Sequence, residues 1–359
     1  MPGYILFANR GSSVSMNRAR FVGYAGVIDS FIHDALVSRG FSVKYIPNTL
    51  PQEVFNFERV RFIIFLASSE NYKITLNSDL LMGNFIEVAL PLAWGCKALV
   101  TAHIELPEVN EIALDPNDVI RTENLFDIAM FWRRIAADIL YKHAKNAVYA
   151  AQNPVEAEIV RGKGVDTYLV VPNIKPINRL TVDLRYDLVV NAVYWKMFGV
   201  KALQRVLSAT TKAGLRVAVH DYHSSDMIKK LAVKHGADYY SYIENFSDVI
   251  KLYSSTKSAY IITGGETFGV RFYEIGQITP VFTNVKHWDS SVFRKVSYEE
   301  IPDVVKSIDN KAIAEMTDIV KSRVQEFNKE PYRDRVEKLV DYVISKFNLR
   351  PSNLRRWIE

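Results

Sequence analysis

The stretch most restrictive of what this chain can fold into is Gly264-Gly265-Glu266-Thr267-Phe268-Gly269-Val270-Arg271-Phe272-Tyr273-Glu274-Ile275-Gly276, closing at Thr279-Pro280-Val281. An apolar run, Ala259 to Thr263, precedes it and reads as a buried strand; an apolar-periodic segment follows and reads as a helix. A strand, a glycine-rich turn and a helix start form the usual phosphate position in an α/β protein. Glu266 lies in the loop and Glu274 in the helix, with seven residues between them. The turn alone is a weak signal. Framed by Glu-x7-Glu, with Phe268-Gly269 after the first carboxylate and Pro280-Val281 after the second, it is much stronger.

The rest of the chain supplies the alternation such a unit needs. Strands are expected at Tyr4–Ala8, Ser42–Ile46, Val60–Ala67, Lys97–Ala102, Asn146–Ala150 and Tyr168–Val171. Helices are expected from Asn17 to Leu36 (stopped by Gly40), around Phe85–Ala93, over Asn124–His143 and over Pro154–Arg161. Val60–Ala67 shows no polar alternation, as expected of a parallel strand covered on both faces. Pro172, Pro176 and the mixed run to Asp183 read as a linker. A second series follows, with strands at 186–193, 215–219, 238–243, 259–263 and 281–284, and helices at 200–213, 224–235, 246–255 and 271–278. The expected fold class is therefore α/β, with two Rossmann-like doubly wound domains facing a cleft at the carboxyl ends of both sheets. The domains are expected at 1–178 and 183–336, followed by an amphipathic C-terminal helix within 337–359.

Composition limits the function classes. The 359 residues suffice for two cores. A net charge of +5, from 45 basic and 40 acidic residues, is too small and dispersed to argue for nucleic acid, yet permits an anionic ligand. Cys96 is the only cysteine, so an internal disulfide is impossible and a cytoplasmic setting is expected. No apolar run approaches the ~18 residues of a membrane span. Phe131-Trp132-Arg133-Arg134 with Lys142 suggests peripheral contact with a membrane; an ordinary amphipathic helix is the preferred reading. Scarce glutamine and abundant Lys, Tyr and Ile hint at a thermophilic host.

Together with Ala144–Ala150, Glu156–Gly164, Val170-Val171-Pro172-Asn173 and Leu99–His103, the Glu-x7-Glu block resembles the GT-B glycosyltransferases, most closely the retaining family 4 group. The resemblance spans nearly the whole chain and is strongest from Ala144 to Asn284. It departs at Ile174-Lys175, at Gly11-Ser12-Ser13, at His220-Asp221-Tyr222 (where a glycine is common) and at Arg271, which replaces a frequent proline.

The resemblance implies a C-terminal helix, within 337–359, that crosses back to the N-terminal domain, and a hexosyltransferase that uses a nucleotide-diphosphate sugar, retains the anomeric configuration and needs no metal or other cofactor. No Asp-x-Asp pair for a divalent ion occurs in the chain. Glu274 is then expected on the ribose hydroxyls, because one carboxylate accepts from both members of a diol. Glu266 is expected on the transferred sugar. Thr267, Phe268, Gly269 and Val270 are expected to approach the diphosphate, and the balancing cation is Lys196, Lys201 or Arg271. His103 is implied near the anomeric carbon, and Gly11 and Ser12 near the phosphate or the acceptor. The acceptor, whether glycan, lipid or protein, is not written in these residues. Competing readings are a sugar-nucleotide epimerase of the same fold and a non-catalytic sugar-nucleotide-binding protein. A nicotinamide dehydrogenase would need Gly-x-Gly-x-x-Gly after an early strand, and residues 9–16 do not provide it.

Overall fold

The computed structural model describes residues 3–8, 25–46, 57–66, 68–102, 104–113, 125–192, 195–222, 224–263 and 269–351. In chain order the elements are β1 (Ile5–Phe7), α1 (Ala25–Ser38), β2 (Val43–Tyr45), α2 (Phe57–Ile63), α3 (Ser69–Leu76), β3 (Leu80–Gly83), α4 (Phe85–Ala93), β4 (Ala98–Thr101), α5 (Pro107–Ala113), α6 (Leu125–Lys142), β5 (Ala147–Ala151), α7 (Pro154–Gly162) and β6 (Asp166–Leu169). They continue as β7 (Tyr186–Asn191), α8 (Trp195–Lys212), β8 (Val217–His220), α9 (Asp226–Lys234), β9 (Asp238–Tyr240), α10 (Phe246–Ser254), β10 (Thr256–Ile261), α11 (Val270–Gly276), β11 (Val281–Thr283), β12 (Arg294–Lys295), α12 (Ile301–Ser307), α13 (Asn310–Phe327) and α14 (Tyr332–Phe347).

The chain divides into two compact units, one of Met1–Glu108, Asp127–Pro172 and Glu330–Glu359, the other of Val109–Phe126 and Asn173–Lys329. The first unit holds a six-stranded sheet in the order β2-β1-β3-β4-β5-β6, every pairing parallel. Its strands are apolar because helices cover both faces: β3, β4 and β5 are buried throughout. Helix starts are written locally. Asn84 caps α4 through its Oδ1, which accepts from the backbone of Ile86 and Glu87, while the Glu87 carboxylate accepts from the Asn84 N–H at 3.0 Å. Asn153 caps α7, and Pro154 takes its first turn.

One expected strand is corrected. Within Val60–Ala67, residues to Ile63 belong to α2 and Ile64–Leu66 form a single 3-10 turn. The third sheet position is filled instead by β3, a short segment that the apolar pattern did not single out. A short apolar run fits a strand or a buried helix equally well, and only the sheet decides between them.

The C-terminal helix α14 belongs to the first unit, as the resemblance implied. Its Val336, Leu339, Val340, Val343 and Phe347 join the core that contains Ile5, Ile32 and Leu36. At its margin Asp341 accepts from the Arg39 guanidinium at 2.6 Å, and Lys346 pairs with Asp166.

The second unit carries a parallel sheet in the order β12-β11-β10-β7-β8-β9. Counted from β7, this is the strand order of a Rossmann fold. Strand β7 is buried from end to end. The segment leading into this unit is bonded to its own helices. Asn328 accepts from the Ile174 N–H at 2.9 Å and donates to the Ile174 carbonyl at 2.7 Å. Gln277, at the end of α11, accepts from Ile177 and donates to the Lys175 carbonyl. Arg179 donates to the carbonyls of Ile278 and Thr256. These bonds bring Lys175 to the side of α11.

Candidate binding site in the second unit

In the second sheet the chain starts at β7, winds outward to β9, and then returns to β10 on the other side of β7. The crevice outside the carboxyl ends of β7 and β10 is thus the switch point, where open α/β sheets take their ligands. Polar residues gather at this end of otherwise apolar strands. Asn191 closes β7 and His220 closes β8, and both are fully buried. Thr263, just past β10, is clamped by Asn284, whose amide accepts from its N–H and donates to its carbonyl, both at 2.8 Å. This clamp fixes where the glycine-rich turn departs.

Helix α11 re-enters after that turn. Gly269 stands at its N-cap with φ +70° and ψ +52°, left-handed backbone that glycine adopts without a Cβ clash. The helix is only seven residues long, so its side chains, more than its dipole, define the site. Arg271 is 9% exposed and Glu274 6% exposed, one turn apart. Burial pushes the Glu274 carboxyl up to about 8, against the opposing pull of Arg271 and Lys175. Without a ligand it therefore keeps its proton at neutral pH. Its Oε2 is buried and has no hydrogen-bond partner among the described residues.

Three aromatic and imidazole side chains extend the polar surface. His220 Nδ1 lies 3.1 Å from the Tyr253 hydroxyl, and Asn191 Nδ2 donates to that hydroxyl at 3.0 Å. Tyr222 packs its ring on His220 with centroids 4.5 Å apart. Burial lowers His220 to about 4, so its ring is neutral in the physiological range. Burial raises the Tyr222 and Tyr253 hydroxyls, and in both the positive charge of Arg271 acts in the opposite direction. Arg271 thus reaches Glu274, Tyr222 and Tyr253 electrostatically. At the exposed side, Lys175 Nζ lies 5.1 Å from the ring centroid of Phe246, the first residue of α10.

Of the residues singled out in the sequence, Gly269, Val270, Arg271 and Glu274 fall together at this crevice. Glu266, Thr267 and Phe268 lie outside the described residues, as do His103, Gly11 and Ser12. Lys196 is the second residue of α8, the helix that follows β7, though its side chain lies outside the described set; Lys201, further along the helix, is exposed. Sequence reasoning assigned no role to Asn191, Tyr253 and Lys175, and met His220 and Tyr222 only in the loop that departs from the resembled family. The available signal was modest: Asn191 and His220 each end an apolar run, and His220 stands at an unusual position for the resembled family.

No family model matches this sequence, and no curated protein matches it. Solved structures do. Sucrose-phosphate synthase from Thermosynechococcus elongatus superposes over 97% of this chain and 100% of its own, with a TM-score of 0.62 at 13% identity. Phytolacca americana UGT2, solved with UDP-2fluoro-glucose and pterostilbene, does so over 97% of this chain and 100% of its own, with a TM-score of 0.50 at 11% identity. The fold is that of the GT-B glycosyltransferases. At these identities the likeness concerns the backbone.

Two other sequence features have structural counterparts. Arg133 does not face outward with Phe131: it is buried and paired with Glu105 at 3.2 Å, while Trp132 packs on Phe62. Phe131 alone of that quartet's apolar members is widely exposed. Among the described residues, no helix is long and apolar enough to cross a membrane.

Proposed function

We propose that this chain is a glycosyltransferase that moves a hexose from a nucleoside-diphosphate sugar to an acceptor hydroxyl, with retention of configuration and without a divalent metal. The observation that carries the reading is Glu274: a buried carboxyl with an unpartnered oxygen, next to a buried arginine, at the switch point of a Rossmann-ordered sheet. A carboxylate there suits a ribose diol, and the adjacent guanidinium suits a diphosphate. Lys196, in the first turn of α8, would add a second cation, with Glu266 on the transferred sugar. His103, Gly11 and Ser12 are assigned to the acceptor side. A protein of the same fold has been captured with UDP-2fluoro-glucose, which makes a nucleotide sugar the first ligand to test.

In the reaction, the bond from the anomeric carbon to the β-phosphate oxygen breaks. The acceptor oxygen bonds to that carbon from the same face, and its proton passes to the departing phosphate. Arg271 and Lys196 stabilise the charge that grows on the leaving group.

The test is a thermal-shift and turnover screen over UDP-, GDP- and ADP-sugars, with and without EDTA. One nucleotide sugar should raise the melting temperature, Glu274→Ala should abolish the shift, and EDTA should leave turnover unchanged. If no nucleotide sugar binds, the reading is wrong; if EDTA stops turnover, the metal-free part is wrong.

A further inference from the structure

The hydrogen-bond chain behind His220 has a direction. Asn191 Nδ2 can only donate, so the Tyr253 oxygen accepts from it at 3.0 Å and its own proton is left to donate elsewhere. The neighbour in reach is His220 Nδ1, at 3.1 Å. A ring nitrogen that accepts carries no proton, so the proton of the neutral imidazole resides on Nε2. Lowering of the ring's proton affinity by burial keeps it in this neutral form. The Nε2 atom is fully buried and has no hydrogen-bond partner among the described residues. A buried N–H donor without an acceptor is costly and calls for an explanation.

The surroundings indicate what the missing acceptor is. Tyr222 covers one face of the imidazole, and Arg271 exerts its charge on both Tyr222 and Tyr253, the two rings that hold it. Glu274, another buried group with an unpartnered atom, lies one turn from Arg271 and also influences Tyr222. The two rings that hold the unpartnered donor and the unpartnered carboxyl thus lie in the field of the same arginine. An oxygen-rich anionic ligand held by Arg271 would meet both.

We propose that His220 is a ligand-binding residue whose Nε2–H donates to an oxygen of the bound nucleoside diphosphate, with Tyr253 and Asn191 acting as positioning residues that fix its tautomer. This rests on the nucleotide-sugar reading above but adds a residue to it. The assignment explains why a histidine, and not a charged side chain, occupies the end of β8: a neutral oriented donor recognises the ligand without adding a second positive charge beside Arg271.

The experiment has two arms on the full chain. Calorimetric titration with UDP, GDP and ADP, each alone, should show that His220→Phe weakens the nucleotide bound by the wild type about tenfold, the loss of one ligand hydrogen bond. His220→Gln, which keeps an N–H donor, should recover most of that loss. In the second arm, nitrogen-15 histidine NMR of the wild type should show His220 protonated on Nε2, with that proton moving downfield as the same nucleotide saturates. This arm stands even if the Phe variant does not fold. An unchanged Kd for His220→Phe, or an Nε2 signal that is unprotonated or unmoved at saturation, overturns the assignment while leaving the nucleotide reading intact. Failure of the wild type to bind any of the three overturns both.

Discussion

Glu274→Gln should make the ligand-free protein more stable at neutral pH while weakening its grip on a nucleotide. In the folded chain the Glu274 carboxyl is pushed up to about 8 by burial, from an ordinary value of 4.5. Between those values the unfolded chain has lost the proton and the folded chain has kept it. Stability is then full below about pH 4.5 and is lost progressively as pH rises through the folded value. At pH 7, two and a half units above the unfolded value, the deficit is about 3 kcal/mol at roughly 1.4 kcal/mol per unit. Glutamine does not titrate and keeps the size, so the wild type should fall behind the variant as pH rises. The gap corresponds to roughly 6–12 °C in melting temperature for a unit of this size. Urea denaturation of both proteins from pH 4.5 to 8.5 measures it. Parallel curves would refute the argument, because they would mean the carboxyl is not desolvated in the folded state. Ligand binding is linked to the same proton. If the carboxylate accepts from a ribose diol, nucleotide binding at pH 7 should release about 0.9 of a proton. Calorimetry in two buffers of different ionisation enthalpy reads that number, and zero release would separate Glu274 from the ribose.

A second buried carboxyl should behave in the same sense in the first unit. Glu156, bonded to the Tyr149 hydroxyl at 2.9 Å and pushed by burial to about 7, should give a stability loss as pH climbs from about 4.5 through 7, and Glu156→Gln should flatten that part of the denaturation profile. At the mouth of the site, Gly269→Ala forces an alanine into left-handed backbone at φ +70° and should cost about 1–2 kcal/mol of stability in urea, since only glycine avoids that penalty.

The alternation of strands and helices was legible because parallel strands buried on both faces leave long apolar runs; β7, β10 and β11 stand where such runs were read. Where an apolar run was short, the pattern lost its meaning. Val60–Leu66 is built into helix, and Leu80–Gly83 is the strand, because which segment inserts beside β1 is settled by pairing and not by hydrophobicity. Asp187 illustrates the same limit: a carboxylate in the second position of β7 is buried, held by Arg216 and by Lys257 at 3.1 Å, and the sequence does not announce that pairing.

At the site, the division follows distance along the chain. Local spacing determined the positions of Glu274, Gly269 and the arginine between them, since all three lie within one turn and one short helix. Tertiary structure alone determined what those residues are worth chemically. The proton on Glu274 is held by burial under neighbours from other elements. The donor on His220 is oriented by Tyr253, 33 residues away, which is oriented in turn by Asn191, 62 residues before it. A sequence can place a carboxyl or an imidazole at the end of a strand; its ionisation and tautomer are fixed by the electrostatics of the packed neighbours.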